Sequence, residues 1–157
     1  MAKRVKRQPG NVLRIPLSDG DHGYGFERPH GLVTVVDSKG KADLSPEHIV
    51  QLTPLFTIFV MDRAIKSGRW PVIGHVELSE SWLTPVKFFR QDQLKPERLS
   101  IACSDGTEFP SDLKGIEGLE KAAVWSAEHV EDRITDHFAG RPNPWLQALK
   151  RRVPGDT

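Results

Sequence analysis

The fold turns on the stretch Val12-Leu13-Arg14-Ile15-Pro16-Leu17-Ser18-Asp19-Gly20-Asp21-His22-Gly23-Tyr24-Gly25-Phe26-Glu27. Val12 to Leu17 alternates two sets of side chains, as a strand does, and Pro16, which has no amide hydrogen, puts this strand at an edge or ends it. Ser18 to Gly23 is dense in turn formers, so Tyr24 to Glu27 reads as the returning strand of a hairpin. Gly20, Gly23 and Gly25 resemble a phosphate loop only superficially, because no Lys-Ser or Lys-Thr follows and the next element is a strand. Leu32 to Val36, reached through a break at Pro29, His30 and Gly31, is a β-branched run and a third strand.

Further along the chain, Ser45-Pro46-Glu47 has the form of a cap and first turn of a short helix running to about Leu52. Leu55 to Met61 is a short apolar run and predicts a buried strand. Asp62 is placed to cap one helical turn, Arg63 to Ser67, closed by Gly68, with Trp70 entering the core. Trp70 to Leu78, Val86 to Phe89 and Leu99 to Cys103 are the remaining strands, followed by a turn at Asp105-Gly106. The pattern then changes: apolar residues at 116, 119, 123, 127, 130, 134 and 138 predict a helix over Ile116 to Phe138. Gly115 and Gly118 each cost about 1 kcal/mol in a helix interior and leave open a start after Gly118. Gly140 and Pro142 end it, and Asn143-Pro144 opens a last short helix whose apolar face is Trp145, Leu146 and Leu149.

Strands first and helices last predict an α+β fold: a small, strongly curved antiparallel β-sheet or partial barrel with C-terminal helices packed on it. A chain of 157 residues can bury a core without disulfides or structural metal, and its single cysteine, Cys103, cannot form an internal disulfide. The expected organisation is a basic flexible arm over 1–9 and one domain over 10–157, β-rich over 10–110 and helical over 111–152. No apolar run reaches signal-peptide or membrane-spanning length, which predicts a cytosolic address.

The formal net charge of +1 conceals a segregation. Lys3, Arg4, Lys6 and Arg7 at one end and Lys150, Arg151 and Arg152 at the other offset a body, 11–149, with 15 basic and 20 acidic residues. Positions 11–90 hold 9 of each sign, so the whole acidic excess falls in 91–149.

Catalytic readings are weak. Six histidines, at 22, 30, 48, 75, 129 and 137, are scattered without metalloprotease spacing. His129 and His137 sit about 80° apart around a helix and do not share a face, so neither a metal nor any other cofactor is expected. Cys103 in an alternating strand reads as a small core residue. On the predicted long helix Trp125 falls about 180° from the apolar stripe, with Glu128, Asp132 and Asp136 extending an acidic ridge from it. Three accounts stay open. Trp125 is the anchor of a binding face, or it is buried beneath the last short helix, or the helix register differs. The hairpin carrying Asp19, Asp21 and Tyr24 is a rival surface whose alternative is an ordinary turn. Nucleic-acid binding by the basic ends is the runner-up function, although the acidic body and the lack of interleaved aromatic and basic residues weigh against it.

Two motifs give these features a context. Pro9-Gly10-Asn11-Val12-Leu13-Arg14-Ile15-Pro16-Leu17, followed by Asp19-Gly20 and Tyr24-Gly25-Phe26, resembles the opening of the immunity protein 26 family. Phe59 to His75, with its Gly68-Arg69-Trp70-Pro71 core, and more loosely Trp82 with Phe88 to Asp92, extend the resemblance over about positions 9–92. Asp21-His22-Gly23 lengthens the first hairpin relative to the family, and Arg28-Pro29-His30-Gly31 interrupts the second strand. The resemblance implies a bacterial cytosolic antitoxin without a catalytic site. Its partner would be a cognate toxin effector, often a nuclease, encoded by the adjacent gene and delivered by contact-dependent or type VI secretion or a related system. A toxin that grips phosphates needs a basic cleft, so its inhibitor gains from an acidic surface. The expected toxin-binding residues are therefore Trp125, Glu128, Asp132, Asp136, Asp19, Asp21 and Tyr24.

Overall fold

The protein is described by a computed structural model over residues 5–152, and its elements run in chain order as follows. Strands β1 (Asn11–Pro16), β2 (His22–Arg28) and β3 (Leu32–Gly40) are followed by helix α1 (Pro46–Ile49), β4 (Pro54–Val60), α2 (Arg63–Lys66), β5 (Val72–His75) and α3 (Glu80–Leu83). Then come β6 (Lys87–Gln91), β7 (Leu99–Cys103), β8 (Glu108–Ser111), β9 (Val124–Trp125), α4 (Ala127–Ala139) and α5 (Pro144–Ala148). The class is α+β, as expected. Instead of one small antiparallel sheet there are two sheets, one of six strands ordered β5-β1-β2-β3-β4-β9 and one of three ordered β6-β7-β8. The larger sheet is mixed, because β9 runs parallel to β4.

The chain gathers into two compact units, residues 1–84 with 124–143 and residues 85–123 with 144–157. In the larger unit β1, β2, β3 and β4 form an antiparallel meander with Val12 opposite Phe26, Gly25 opposite Val35 and Val35 opposite Phe56. Pro16 is the last residue of β1, and β5 pairs only as far as Leu13, so no ladder amide is missing. Both faces of this meander are buried, which is why Val12 and Leu13, adjacent in β1, are each wholly inaccessible. One face holds Val12, Tyr24, Phe26, Val36 and Ile49 under Trp82. On the other face α4 sets Ile134 against Gly23, where an added Cβ would meet its side chain at 3.5 Å. A Cβ on Gly25 would lie 2.8 Å from the Thr34 carbonyl. These glycines are therefore strand positions that admit close packing, and of the three only Gly20 serves the turn.

Several local signals act as the sequence predicts. Ser45 accepts the His48 amide hydrogen bond at the head of α1, and Trp70 is wholly buried. Asp62 differs: it is itself helical in backbone and caps nothing, accepting instead from Arg7 at 2.8 Å and Lys66 at 3.4 Å. Arg7 also donates to the buried carboxylate of Glu27 at 2.7 Å and to the carbonyls of Val60 and Gly31. The part of the expected loose arm that is described is thus tied to the sheet at Arg7, whereas residues 1–4 and 153–157 lie outside the described residues. Of Arg28-Pro29-His30-Gly31, Arg28 still belongs to β2, and Pro29–Gly31 forms a single 3-10 turn after it, with His30 in the left-handed region at φ 68°.

The largest departure concerns the long helix. Gly118 adopts φ 79°, which a helix cannot accommodate, and the backbone of 124–125 is engaged as a strand, with Met61 N donating to Trp125 O at 2.9 Å. Helix α4 begins only at Ala127, capped by Ser126. Ile116 and Leu119, which seem to continue its apolar stripe, instead pack with Phe89, Leu99 and Ile101 in the smaller unit. Trp125 is consequently a core residue, 4% exposed, with the Arg133 guanidinium 5.0 Å from its ring and 3.7 Å from that of Phe56. Truncation to Trp125→Ala should cost about 3–5 kcal/mol of stability in urea unfolding. A variant as stable as the parent would show that this ring is not part of the core.

Candidate functional site

The motif Gly68-Arg69-Trp70-Pro71 builds the site from below. Gly68 ends α2, after which Arg69 and Trp70 point to different environments: Trp70 into the core, Arg69 along the surface of α4. A buried indole must place its N–H on an acceptor, and Trp70 Nε1 donates to Glu131 Oε2 at 2.9 Å. Arg69 grips the same carboxylate with two donors, at 2.8 and 2.7 Å, and reaches Glu128 at 3.0 Å. The Glu131 bond, together with the Glu128 charge, raises the Arg69 guanidinium above its already high ordinary pKa. Glu128 is held below the ordinary carboxylate range, first by a backbone hydrogen bond at the start of α4 and then by Arg69 and Arg63.

The hairpin before β2 presents a second charged cluster. Asp19 and Asp21 both take the Lys39 ammonium at 2.7 Å, and Asp19 also accepts the Asp21 amide at 3.0 Å in an Asx turn. The Lys39 bond holds the Asp19 carboxyl below its ordinary value. The start of the hairpin and α4 border one depression. Pro16, Leu17 and Ser18 form one wall, with Arg69, Glu131 and Asp132 opposite, around a cleft of about 330 Å³.

The expected site residues separate into three groups. Asp132 lines the cleft and is exposed; Asp19, next in the chain to Ser18 of its wall, and Glu128, paired with Arg69, are exposed, and Asp21 is partly exposed. Asp136 is drawn to the end of α4, where Asn143 donates to it at 2.9 Å and Arg141 at 3.3 Å. Tyr24 and Trp125 are buried, so neither offers a ring to a partner. The Tyr24 hydroxyl donates to the Ala42 carbonyl at 2.7 Å and accepts the Leu44 amide, fastening the chain after β3. Sequence reasoning missed Glu131, Arg69 and Lys39. The available signal was Trp70, whose burial required an acidic or carbonyl acceptor that no nearby residue in the chain supplies.

The cleft lining carries Glu131 and Asp132 against Arg69, and Arg69 is itself engaged by Glu131 and Glu128. Among the described residues no group of three or more His, Cys, Asp or Glu is arranged to hold a metal ion, and no helix is long and apolar enough to cross a membrane.

Within the larger unit, a sheet buried on both faces thus carries a surface cleft lined by Glu131, Asp132 and Arg69. A model of the immunity protein 26 family matches residues 8–100, and the chain belongs to that family. No curated protein and no solved structure matches the chain. Family membership supports an immunity role and implies a cognate toxin as partner. The match includes the hairpin and Arg69-Trp70, while α4, which supplies the opposite wall, lies beyond it.

Two outcomes check this geometry. Lys39→Met should raise the Asp19 carboxyl midpoint toward 3.8, read by carbon NMR. Because that midpoint is depressed in the folded protein, the pair's contribution is present above the unfolded-state pKa and fades as pH falls through the folded one. Glu131→Ala, which strands the Trp70 N–H, should cost about 1–3 kcal/mol in urea unfolding. Glu128→Ala, which removes an exposed ion pair and an exposed hydrogen bond at the start of α4 and strands no buried group, should cost about 1 kcal/mol or less. Equal losses would show that Glu131 is no more structural than Glu128.

Proposed function

We propose that this protein is a non-enzymatic antitoxin in the bacterial cytoplasm that neutralises a cognate secreted toxin by binding it through the cleft between the Asp19 hairpin and α4. Supporting observations are the family membership and the convergence of the hairpin and the helix on one acidic depression. The toxin's chemistry follows from complementarity: a nuclease domain must line its substrate channel with Lys and Arg, and an acidic surface both attracts such a channel and competes with its phosphates. Asp19, Glu128 and Asp132 supply the accessible charge. Glu131, Arg69 and Trp70 hold the helix wall in place and act as positioning residues. Effectors of contact-dependent or type VI secretion and related systems are the class of toxin that such a protein accompanies.

Two cations of the described basic ends are engaged within the chain and give little to a nucleic-acid reading. Arg7 is committed to Glu27 and Asp62, and Arg152 donates to the carbonyls of Asp92 and Gln93.

The test is co-expression with the product of the adjacent gene, followed by co-purification and association kinetics. A stable complex is expected, and the pair Glu128→Lys with Asp132→Lys should slow association about tenfold or more while changing dissociation less. An unchanged association rate would remove this cleft from the interface, and failure to form any complex would overturn the antitoxin reading.

A further inference from the structure

The smaller unit carries a feature independent of the acidic cleft. Phe89 of β6, the turns of 113–121 and residues 146–151 line an open groove of about 760 Å³, a volume within the range of small-molecule sites. Phe89, Ile116, Leu119, Leu146 and Leu149 supply its apolar lining. Leu113 stands at its border 58% exposed, an apolar side chain left in water. Four cations border the same groove, Lys114, Lys121, Lys150 and Arg151, against two carboxylates, Glu117 and Glu120. None of the four cations makes an ion pair among the described residues. This contrasts with the acidic cleft, whose Lys39 and Arg69 are both engaged by carboxylates.

The backbone limits what form an occupant can take. A peptide in extended conformation needs an open strand edge, but beside the groove the edge of β6 is already filled. Phe89 N donates to Glu120 O at 2.9 Å, and Ala122 N donates to Phe89 O at 2.8 Å. Recognition here must then run through side chains, as when one apolar helix face is laid into a groove. The unpaired cations select the sign of the polar flank.

We propose that this groove docks an amphipathic helix of a partner protein, with Leu-like residues on its buried face and Asp or Glu along its flanks. The inference does not depend on the acidic cleft being the toxin interface. A basic channel and an acidic helix are opposite chemistries and need opposite surfaces.

The probe is a synthetic helix of about four turns with Leu at one face and Glu on both flanks, titrated into the isotope-labelled full chain by amide NMR. A second peptide keeps the Leu pattern and replaces every Glu by Lys, and dodecanoate serves as a small anionic amphiphile. The expected result is saturable shifts confined to residues lining the groove, with the Glu peptide bound at least about tenfold tighter than the Lys peptide. Leu149→Asp should weaken binding by about tenfold or more. Lys114→Glu with Lys150→Glu, two exposed substitutions that leave the lining intact, should reverse the preference between the peptides. No groove-localised shifts up to millimolar Glu peptide, or equal binding of both peptides to parent and charge-reversed chains, would overturn the proposal. Saturable binding of dodecanoate with none of the Glu peptide would also overturn it, assigning the groove to a small amphiphile.

Discussion

A fully buried tryptophan has one polar atom to satisfy, and in this protein Trp70 satisfies it on Glu131. That bond joins a turn after α2 to a helix some sixty residues later in the chain, and Arg69 doubles it with a two-pronged grip on the same carboxylate. An indole N–H left without a partner in the core costs roughly 1–3 kcal/mol, so the position of α4 is constrained at this point. The consequences extend in both directions from the bond. Inward, α4 buries Val130 and Ile134; outward, it exposes Glu128 and sets Asp132 at the cleft opposite the start of the hairpin. The cleft exists because the helix has a fixed seat.

The seat depends on the sheet accepting a helix at close range. Gly23 and Gly25 leave one face of β2 without side chains, and Ile134 packs over Gly23, 3.5 Å from where a Cβ would stand. Arg133, one residue earlier, fills its position with a guanidinium lying over Phe56 and near Trp125, an arrangement in which the flat cation packs as an aromatic ring would. Charge is used structurally at the other end of the unit as well. Glu27 is buried, and Arg7, Asn11 and the Gln8 amide surround it, so the chain before β1 is sewn to the sheet rather than left loose. Much of the protein's charge is therefore internal wiring, as in the grip of Arg69 on Glu131 and of Lys39 on Asp19 and Asp21.

Local signals in the chain were legible wherever the cause was local. The hairpin, the Ser45 cap, the run 99–103 and the Asn143-Pro144 helix start each follow from a few adjacent residues. The misreadings share a different cause. Apolar residues at 116, 119, 123 and 127 keep a helical interval, yet they belong to different cores, because Ile116 and Leu119 are buried with the β6-β7 sheet while Trp125 and Val130 are buried with the larger one. A wheel drawn across that boundary assigns Trp125 to water. The two-residue strand β9 has no pattern of its own and exists only because β4 offers it a parallel edge. Likewise, the acidic surface was visible as a charge excess, but Glu131 could not be told from its neighbours until Trp70 was seen to need it.

By itself, then, the sequence determined the α+β class, the family, the order of the main strands and the sign of the charge over positions 91–149, since each is set by short-range pattern, motif or composition. Only the tertiary structure decided the partition into two sheets, the burial of Tyr24 and Trp125, and the union of a hairpin near residue 19 with a helix near residue 131 into one cleft. The reason is that burial and pairing are properties of which segments meet. A residue's own neighbours in the chain say whether it can be a strand or a cap, whereas its function depends on the partner that folding brings to it.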